Sequence, residues 1–404
     1  MHPPQGARSL ARKLMLIVTW VFSQNSSLAD PNVTRDKVSF DIWALIFRSG
    51  GIWLESVLAA TSAVVAARLG QLMLGGEVRP TLILASVLLL VQPVAAPAQT
   101  AWDMPTEYPQ NTMPGLGVTT FAQRVAELSA GRIQIKPSFD ASSGIRSAGM
   151  LAAVAGGRVQ AGDAFAGALE TEDPIFALPS LPFLATSIAD AKRLADLARP
   201  FLAAALQKKG QRLLYLTPWP PSGIWSKAPL KNPSDLSNLS IRTYDKISSE
   251  VFASAGAKAM AISFADTMPK LADGSINAVL SSGDGGAGRK LWEFLPYFSE
   301  ITYSLPLSVA SVNQSLYDDL SSDLREAVDS AGRQTETELW LALSTRLQES
   351  HRSMNENGVT IDSSPAPAMI AALQAGASSA QRAWCTRSGP ICLQILDAFR
   401  AGKQ

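Results

Sequence analysis

The sequence predicts an α/β protein with two lobes. Three observations support this fold class. Apolar residues at helical spacing alternate with short β-like runs, most of the predicted helices end at a glycine, and this rhythm occurs twice along the chain. The chain has 404 residues and a hydrophobic content of 47%, which suits two domains with substantial cores.

The region before residue 99 predicts export. Arg79-Pro80-Thr81 is followed by an apolar run, Leu82–Val91, and then by Ala96-Pro97-Ala98. A positive flank, a short apolar core and an A-x-A end are typical of a secretory signal peptide, cleaved here near Ala98. A transmembrane anchor is the alternative, but the run is about half of the ~20 residues that a membrane-spanning helix needs.

A signal peptide is expected at the start of a protein. We therefore interpret Met73 as the true start, residues 1–72 as an over-extended reading frame or an extension without a fold, and residues 73–98 as the signal peptide. The alternative is a genuine membrane-associated extension, although its most apolar part, Ile52–Leu74, is interrupted by charged residues. The exported chain would begin at Gln99, in the periplasm.

The first half of the exported chain alternates helices and strands. Val118, Phe121 and Val125 recur at helical spacing and predict a helix that ends at Gly131. The other elements predicted here are a strand at 132–136, a helix at 145–155, a helix at 187–209 that we expect Pro200 to kink, and a strand at 212–217. This alternation predicts a largely parallel sheet.

The same rhythm repeats in the second half. Asp266 has the residue type and position to cap a short helix at 267–273. The other predicted elements are strands at 240–243, 259–262, 276–280 and 305–312, a helix at 246–255, a long helix at 322–355, and shorter helices at 367–375 and 391–401.

The composition argues against several classes of function. With 35 basic and 34 acidic residues the net charge is +1, and no basic run suggests a nucleic-acid partner. His351 is the only histidine after Ala98, and its polar neighbours indicate a solvated helix face. Nucleophilic triads and ordinary zinc sites therefore lack their usual residues. We predict neither an enzyme nor a cofactor or metal.

Two cysteines lie close together near the C-terminus. Cys385 and Cys392 flank a turn-forming Ser388-Gly389-Pro390. In an oxidising compartment this spacing permits a small-loop disulfide, which we favour over two buried thiols. The spacing is not that of a C-x-x-C redox motif, so no catalytic role is predicted.

The stretch from Pro218 to Asp245 has the most informative composition. Its prolines, tryptophans and hydroxyl residues end in a β-like run, Ser240–Thr243, that contains Arg242. A guanidinium keeps its charge and offers a planar fork of donors, so an arginine within a strand is costly unless an anion meets it. The alternatives are a surface arginine, or one paired with Asp235 or Asp245.

A glycine-rich segment, Gly283–Gly288, fits G-x-G-x-x-G in outline. A dinucleotide site is disfavoured, because Asp284 would repel a pyrophosphate and no acidic residue follows at the expected spacing. The other interpretation is a flexible loop whose backbone N–H groups, together with the hydroxyls of Ser281 and Ser282, approach a small ligand.

Several short motifs together resemble the periplasmic solute-binding receptors of tripartite ATP-independent (TRAP) transporters, of the dicarboxylate-receptor type. The resemblance covers about Trp102 to Gly358. The motifs are Ser129-Ala130-Gly131-Arg132-Ile133, Leu181-Pro182-Phe183, Pro233-Ser234-Asp235-Leu236, Leu239-Ser240-Ile241-Arg242, Ala255-Gly256-Ala257, Leu271-Ala272-Asp273-Gly274 and Val312-Asn313.

The resemblance implies a two-lobed periplasmic binding protein fold, with a hinge of crossing strands and a long connecting helix. It assigns lobe I to 99–218 and about 306–344, and lobe II to 219–305 and about 345–404. The family arginine that pairs with the ligand carboxylate corresponds to Arg242, an aromatic packing on the ligand to Phe264, and a position often held by asparagine to Ser281.

Where some members of the family have a further arginine, this chain has Ser222, which argues against strong recognition of a second carboxylate. Trp219 and Trp225 suggest an apolar or aromatic wall instead. The remaining ligand-binding candidates are Tyr244, Ser282, Asp284, Glu107 and Tyr108. For Glu107 and Tyr108 the alternative is an ordinary loop, and for Asp284 a solvated one.

The predicted function is a receptor that captures a small organic acid and delivers it to the membrane subunits of a TRAP permease. We expect a monomer. The alternatives are a periplasmic enzyme that uses Glu107, Asp163 or Asp284 as acid and base, and a binding protein that feeds a sensor.

Overall fold

A computed structural model describes residues 99–402, so the predictions for residues 1–98 lie outside the described residues. The strands are β1 Thr100–Pro105, β2 Ile133–Ser138, β3 Ala161–Phe165, β4 Gln211–Pro218, β5 Ser222–Ser226, β6 Ser240–Thr243, β7 Lys258–Ala261, β8 Ala278–Ser282, β9 Tyr297–Ser299, β10 Leu307–Asn313 and β11 Thr360–Asp362.

The α-helices are α1 Met113–Leu128, α2 Ser147–Ala155, α3 Ile188–Gln207, α4 Lys246–Ser254, α5 Thr267–Ala272, α6 Gly283–Gly288, α7 Gln314–Asp318, α8 Ser322–Glu356, α9 Pro367–Ser388 and α10 Pro390–Ala401. Four 3₁₀ segments lie at Ala166–Leu169, Pro174–Ser180, Pro233–Asn238 and Leu291–Glu293. None of these helices in residues 99–402 is long and apolar enough to cross a membrane.

The strands form separate sheets in two lobes. In lobe I, β1 pairs with β2, and β10 lies between β3 and β4. In lobe II, six strands are ordered β11-β9-β5-β8-β6-β7. The two-lobed α/β class is confirmed, but the expectation of a largely parallel arrangement is only partly right, because β10 and β5 run antiparallel to both of their neighbours.

Two chain crossings join the lobes. Strand β4 ends at Pro218, in a proline-rich stretch, and the chain then enters β5 of the lobe II sheet. The return crossing runs from β9 to β10. The two crossings are hydrogen-bonded, because the Trp219 N–H donates to the Pro306 carbonyl at 3.0 Å and the Ser222 N–H donates to the Ser304 carbonyl at 2.8 Å. These bonds form the predicted hinge of crossing strands.

The long helix α8 also connects the lobes. Near its start Gly332 lies against the backbone of Leu214, where a Cβ would come within 2.5 Å of the Leu214 carbonyl oxygen. Near its end Met354 belongs to the lobe II core around Val279. One continuous helix therefore packs on both sheets.

The helix predicted at 187–209 is present as α3, Ile188–Gln207, with Pro200 in its interior. Two other element predictions were wrong in detail. The first C-terminal helix is much longer than predicted, since α9 reaches Ser388. Asp266 makes no capping hydrogen bond from its side chain; its carboxylate instead pairs with Arg146 at 2.8 Å. Local sequence did not reveal that competing partner.

The C-terminal helices contact both lobes. The Trp384 indole N–H donates to the Pro174 carbonyl at 2.8 Å, and the Gln381 amide donates to the Pro182 carbonyl at 2.7 Å. On its other side α9 packs against α4 of lobe II, where a Cβ on Gly376 would meet the Ser254 hydroxyl at 2.2 Å. A disulfide joins Cys385 to Cys392 at the junction of α9 and α10.

Candidate functional site

A small cavity lies between the lobes, beside the two chain crossings. It encloses about 320 Å³ of empty space, part of which is open to solvent. The cavity is lined by Tyr108, Phe165, Trp219, Ser222, Arg242, Tyr244, Phe264, Ser281, Ser282 and Pro306.

Among residues 99–402, Arg242 is the one charged side chain that lines this cavity. It lies on β6 and is only 3% exposed. Its Nε donates to the Ile262 carbonyl at 2.8 Å and one terminal nitrogen donates to the Leu280 carbonyl at 3.2 Å. These two bonds fix the guanidinium plane and leave other N–H groups of the fork available to a ligand.

The charge of Arg242 has no ion-pair partner among residues 99–402. Asp245 caps α4 by accepting from the Ser248 N–H at 2.7 Å, and Asp235 accepts from the backbone at Lys231 and Asn232. The two alternative pairings of the arginine are therefore wrong, as is a surface position. Desolvation lowers the pKa of Arg242, which reflects the cost of burying a cation without a partner.

Three aromatic rings form one wall of the cavity. The Tyr108 ring lies 4.7 Å from the Trp219 ring in an edge-on arrangement and 5.6 Å from the Phe264 ring. All three side chains are at most 5% exposed. The Trp219 indole N–H is held by the Ser308 hydroxyl at 3.0 Å, which fixes its orientation. Such a wall excludes water that would screen a charge on Arg242.

Hydroxyl groups provide the other polar atoms. The Tyr244 hydroxyl is 2.7 Å from the Ser304 hydroxyl, and burial raises the pKa of Tyr244, so it is a neutral phenol. Ser282 accepts from the Gly285 N–H at 3.0 Å. Ser222 on β5 is paired in register with Ser282 on the antiparallel strand β8, and Ser281 is the preceding residue of β8. Neutral hydroxyls can both donate to and accept from a ligand.

Three candidates from the sequence do not line the cavity. Trp225 is fully buried in the lobe II core, with its ring 5.0 Å from the Phe298 ring. Glu107 is 1% exposed and accepts from backbone amides. Asp284 is also 1% exposed; its Oδ1 pairs with Arg346 at 2.5 Å and its Oδ2 accepts from the Met113 N–H at 2.8 Å. Burial and these partners keep all three out of the cavity lining.

The interpretation of residues 283–288 as a flexible loop is also wrong. The segment forms a short helix, α6, and its glycines permit close packing. A Cβ on Gly286 would lie 2.2 Å from the Trp225 ring, and one on Gly288 would lie 2.4 Å from the Thr112 methyl group. The glycines therefore serve packing between elements.

Two lining residues were missed from the sequence. Phe165 ends β3, and its ring lies 5.0 Å from the Tyr244 ring across the lobes. Pro306 lies on the return crossing, where its carbonyl accepts from Trp219. Phe165 could have been found from its place directly after the small-residue run 162–164, at the end of a strand. No local signal marks Pro306.

The acid–base alternative has no support in this geometry. Glu107, Asp163 and Asp284 lie outside the cavity lining. Asp163 is fully buried in the lobe I sheet, where it accepts from the Thr106 hydroxyl at 2.8 Å. Residues 99–402 also contain no group of three or more His, Cys, Asp or Glu side chains arranged to hold a metal ion.

The two lobes, their crossings and a cavity with one buried cation define a solute-binding protein. The chain belongs to the bacterial extracellular solute-binding protein family 7, also called DctP, which matches it over residues 104–384. The predicted resemblance to TRAP solute receptors is confirmed, and the family description is that of a binding protein.

Three solved structures illustrate the relationship. The chain is 30% identical to DctP7 of Bordetella pertussis, an extracytoplasmic solute receptor binding pyroglutamic acid, with a TM-score of 0.72 over 74% of this chain and 99% of that one. It is 29% identical to DctP6 of the same organism, which also binds pyroglutamic acid, with a TM-score of 0.72 over 76% of this chain and 100% of that one.

A marine metagenome TRAP solute-binding protein specific for pyroglutamate is 26% identical to this chain. Its TM-score is 0.72, and the match covers 75% of this chain and 99% of that one. All three relatives are thus matched over essentially their whole length.

Proposed function

We propose that this protein is a periplasmic receptor that captures a small cyclic monocarboxylate of the pyroglutamate class between its lobes and delivers it to a TRAP permease. Family membership supports the receptor role, and the three pyroglutamate-binding relatives support the ligand class.

The observation that carries the proposal is the buried, unpaired cation. Arg242 is 3% exposed, lacks an ion pair among the described residues and has free donors facing the cavity. A carboxylate that accepts two parallel hydrogen bonds from this fork would neutralise the charge and fix the orientation of the ligand. Binding of the anion would offset the energetic cost of burying the guanidinium without an ion-pair partner.

The rest of the lining supports a ligand with one negative charge. No second cation lines the cavity, and Ser222 occupies the position at which an additional arginine was expected in some relatives. Aromatic rings suit the flat faces of a small ring, while the hydroxyls of Tyr244 and Ser281 suit a lactam N–H and carbonyl. A second carboxylate would be buried without compensation.

Export and delivery complete the proposal. The signal peptide predicted at 73–98, with cleavage near Ala98, would place the receptor in the periplasm, in agreement with the extracellular description of its family. The membrane subunits of a TRAP permease are its expected partner, and we expect the receptor to act as a monomer. N-terminal sequencing of the secreted protein tests the cleavage site.

Isothermal titration with a matched ligand set tests the proposed ligand. L-pyroglutamate should bind, whereas 2-pyrrolidinone, which lacks the carboxylate, and L-proline, which has an ammonium in place of the lactam, should bind at least tenfold more weakly. Succinate tests the exclusion of a second carboxylate. Preferential binding of succinate would contradict the ligand class, and binding of 2-pyrrolidinone as tightly as L-pyroglutamate would contradict the role of the carboxylate.

A further inference from the structure

The buried carboxylate of Glu107 connects the two lobes beside the cavity. Glu107 follows β1 in lobe I and is 1% exposed. Its Oε2 accepts from the backbone N–H of Ser147 in lobe I at 2.7 Å, and its Oε1 accepts from the backbone N–H of Ala265 in lobe II at 3.0 Å. Each carboxylate oxygen is thus bound by a different lobe.

The base of this side chain is fixed in lobe I. The Thr106 N–H donates to the Ser138 carbonyl at 2.8 Å, and the Asp140 N–H donates to the Tyr108 carbonyl at 2.9 Å. These backbone bonds hold both neighbours of Glu107. The carboxylate therefore belongs to lobe I, and its bond to lobe II can exist only while the lobes are together.

The bond also joins two walls of the cavity. Tyr108 is the residue after Glu107, and Phe264 is the residue before Ala265. Their rings lie 5.6 Å apart and both line the cavity. The hydrogen bond between Glu107 and Ala265 therefore sets the separation of two rings that would enclose a ligand.

An exposed ion pair lies next to this buried bond. Arg146 of lobe I and Asp266 of lobe II are 2.8 Å apart, with side chains 37% and 50% exposed. Such a pair contributes little because water and salt screen it. The buried, charge-assisted bond of Glu107 is the stronger contact, because a carboxylate accepting from backbone amides away from water forms shorter and stronger hydrogen bonds.

We propose that Glu107 is a positioning residue that favours the closed arrangement of the lobes. In the closed protein its carboxylate takes the Ala265 amide; when the lobes separate, water must replace that amide. This bond raises the ratio of closed to open protein and slows ligand release, without a direct contact to the ligand. The inference concerns ligand retention and in that respect rests on the proposed function.

Distances between spin labels on the two lobes test this role. Labels at Gln123→Cys on α1 and Ala272→Cys on α5 report the separation of the two lobes. The native cysteines do not compete for the label, because they are bonded to each other. Glu107→Gln removes the charge at nearly constant size. We expect it to lower the ratio of closed to open protein by roughly tenfold, both without ligand and with saturating L-pyroglutamate.

Asp266→Asn is the matched control, because it breaks the exposed contact at the same place and should change the ratio by less than about threefold. The melting temperature of each variant separates lobe closure from a structural role within lobe I. A lower melting temperature of Glu107→Gln with an unchanged ratio would overturn the inference, since only the Ser147 contact would then matter.

The experiment also distinguishes this inference from the proposed function. If L-pyroglutamate does not alter the label distance in the wild type and titration detects no binding, the ligand class is contradicted. The measurement without ligand then decides the role of Glu107. If the wild-type protein never shows the lobe separation seen in the structure, with or without ligand, the inference is overturned.

Discussion

The guanidinium carbon of Arg242 lies 5.3 Å from the centre of the Phe264 ring. This cation–π contact covers a buried positive charge with an aromatic face. The guanidinium of Arg289 is also 5.3 Å from the same ring centre, but Arg289 pairs with Asp140 at 2.6 Å. Of these two cations, Arg242 is the one whose charge remains for a ligand.

Changing Arg242 should remove ligand binding. Arg242→Ala should weaken carboxylate binding by at least about a hundredfold, because hydrogen bonds to a charged partner are lost. Arg242→Lys keeps the charge but loses the planar fork, and we expect a loss of at least about tenfold. Isothermal titration measures the affinities and circular dichroism checks the fold.

Arg132→Lys provides the matched control for Arg242. It alters an arginine that pairs with Asp323 on the surface. Neither residue lines the cavity. Its affinity should equal that of the wild type. Retention of wild-type affinity by Arg242→Ala would refute the assigned role.

Gly285→Ala should disturb the cavity indirectly, by displacing a residue that lines it. A Cβ there would lie 2.6 Å from the Ser281 hydroxyl oxygen and 3.5 Å from the Trp219 ring. Because Ser281 lines the cavity, its displacement should lower the affinity by roughly tenfold, and overpacking should reduce the free energy of unfolding by about 1–3 kcal/mol. Titration and denaturant unfolding measure the two effects.

Gly149→Ala is the control for this change, because a Cβ on Gly149 of α2 meets nothing within 4 Å. It should leave the affinity unchanged and stabilise the protein by about 0.5–1 kcal/mol, as expected for alanine in place of glycine in a helix. Equal affinities for the two alanine variants would show that Gly285 does not shape the site.

Removing the disulfide should destabilise the C-terminal helices. Cys385 and Cys392 are seven residues apart in sequence, and closing so short a loop is worth about 2–3 kcal/mol in the chain-entropy account. Thermal unfolding of the double variant Cys385→Ser and Cys392→Ser should occur at a lower temperature. A reducing agent should lower the melting temperature of the wild type but not that of the variant; equal sensitivity of both proteins would contradict this.

Asp163 should make stability depend on pH. Burial raises its pKa to about 7, well above the value of an unfolded aspartate, so the folded protein binds more protons between about pH 4 and 7. Stability therefore falls as the pH rises through that window, and the cost is complete above it. Asp163→Asn stays neutral and should retain an acceptor for the Thr106 hydroxyl.

We expect Asp163→Asn to stabilise the protein at pH 8 by on the order of 1 kcal/mol or more, and much less at pH 4. Melting temperatures at the two pH values measure this difference. Glu127→Gln, a change of an exposed carboxylate in lobe I, is the control and should show no such gain at pH 8. An Asp163→Asn variant that is less stable than wild type at pH 8 would contradict the prediction.

The sequence identified several cavity-lining residues, some from their local context and some from the family resemblance. Arg242 within a β-like run, Phe264 and Ser281 from the family resemblance, and the proline-rich crossing at Trp219 all line the cavity. The candidates that do not line the cavity were chosen by residue type alone. Trp225 looked like a second aromatic wall, but it packs on Phe298, more than seventy residues away in the chain.

The carboxylates show the same limit. From the sequence, Glu107 and Asp284 are acidic residues in loops near the cleft. Their functions depend on which amides reach them, and those amides belong to Ala265 and Met113, each in the opposite lobe. No local pattern encodes such a contact, because it forms between distant segments only when the lobes meet.

The sequence by itself determined the α/β class, most of the succession of helices and strands, and the poor supply of catalytic residues. These follow from periodicity, turn residues and composition, which act over a few residues of chain. The tertiary structure alone decided which side chains face the cavity and which buried carboxylates join the lobes. Burial and hydrogen bonding between distant segments set those outcomes, and they exist only after the chain has folded.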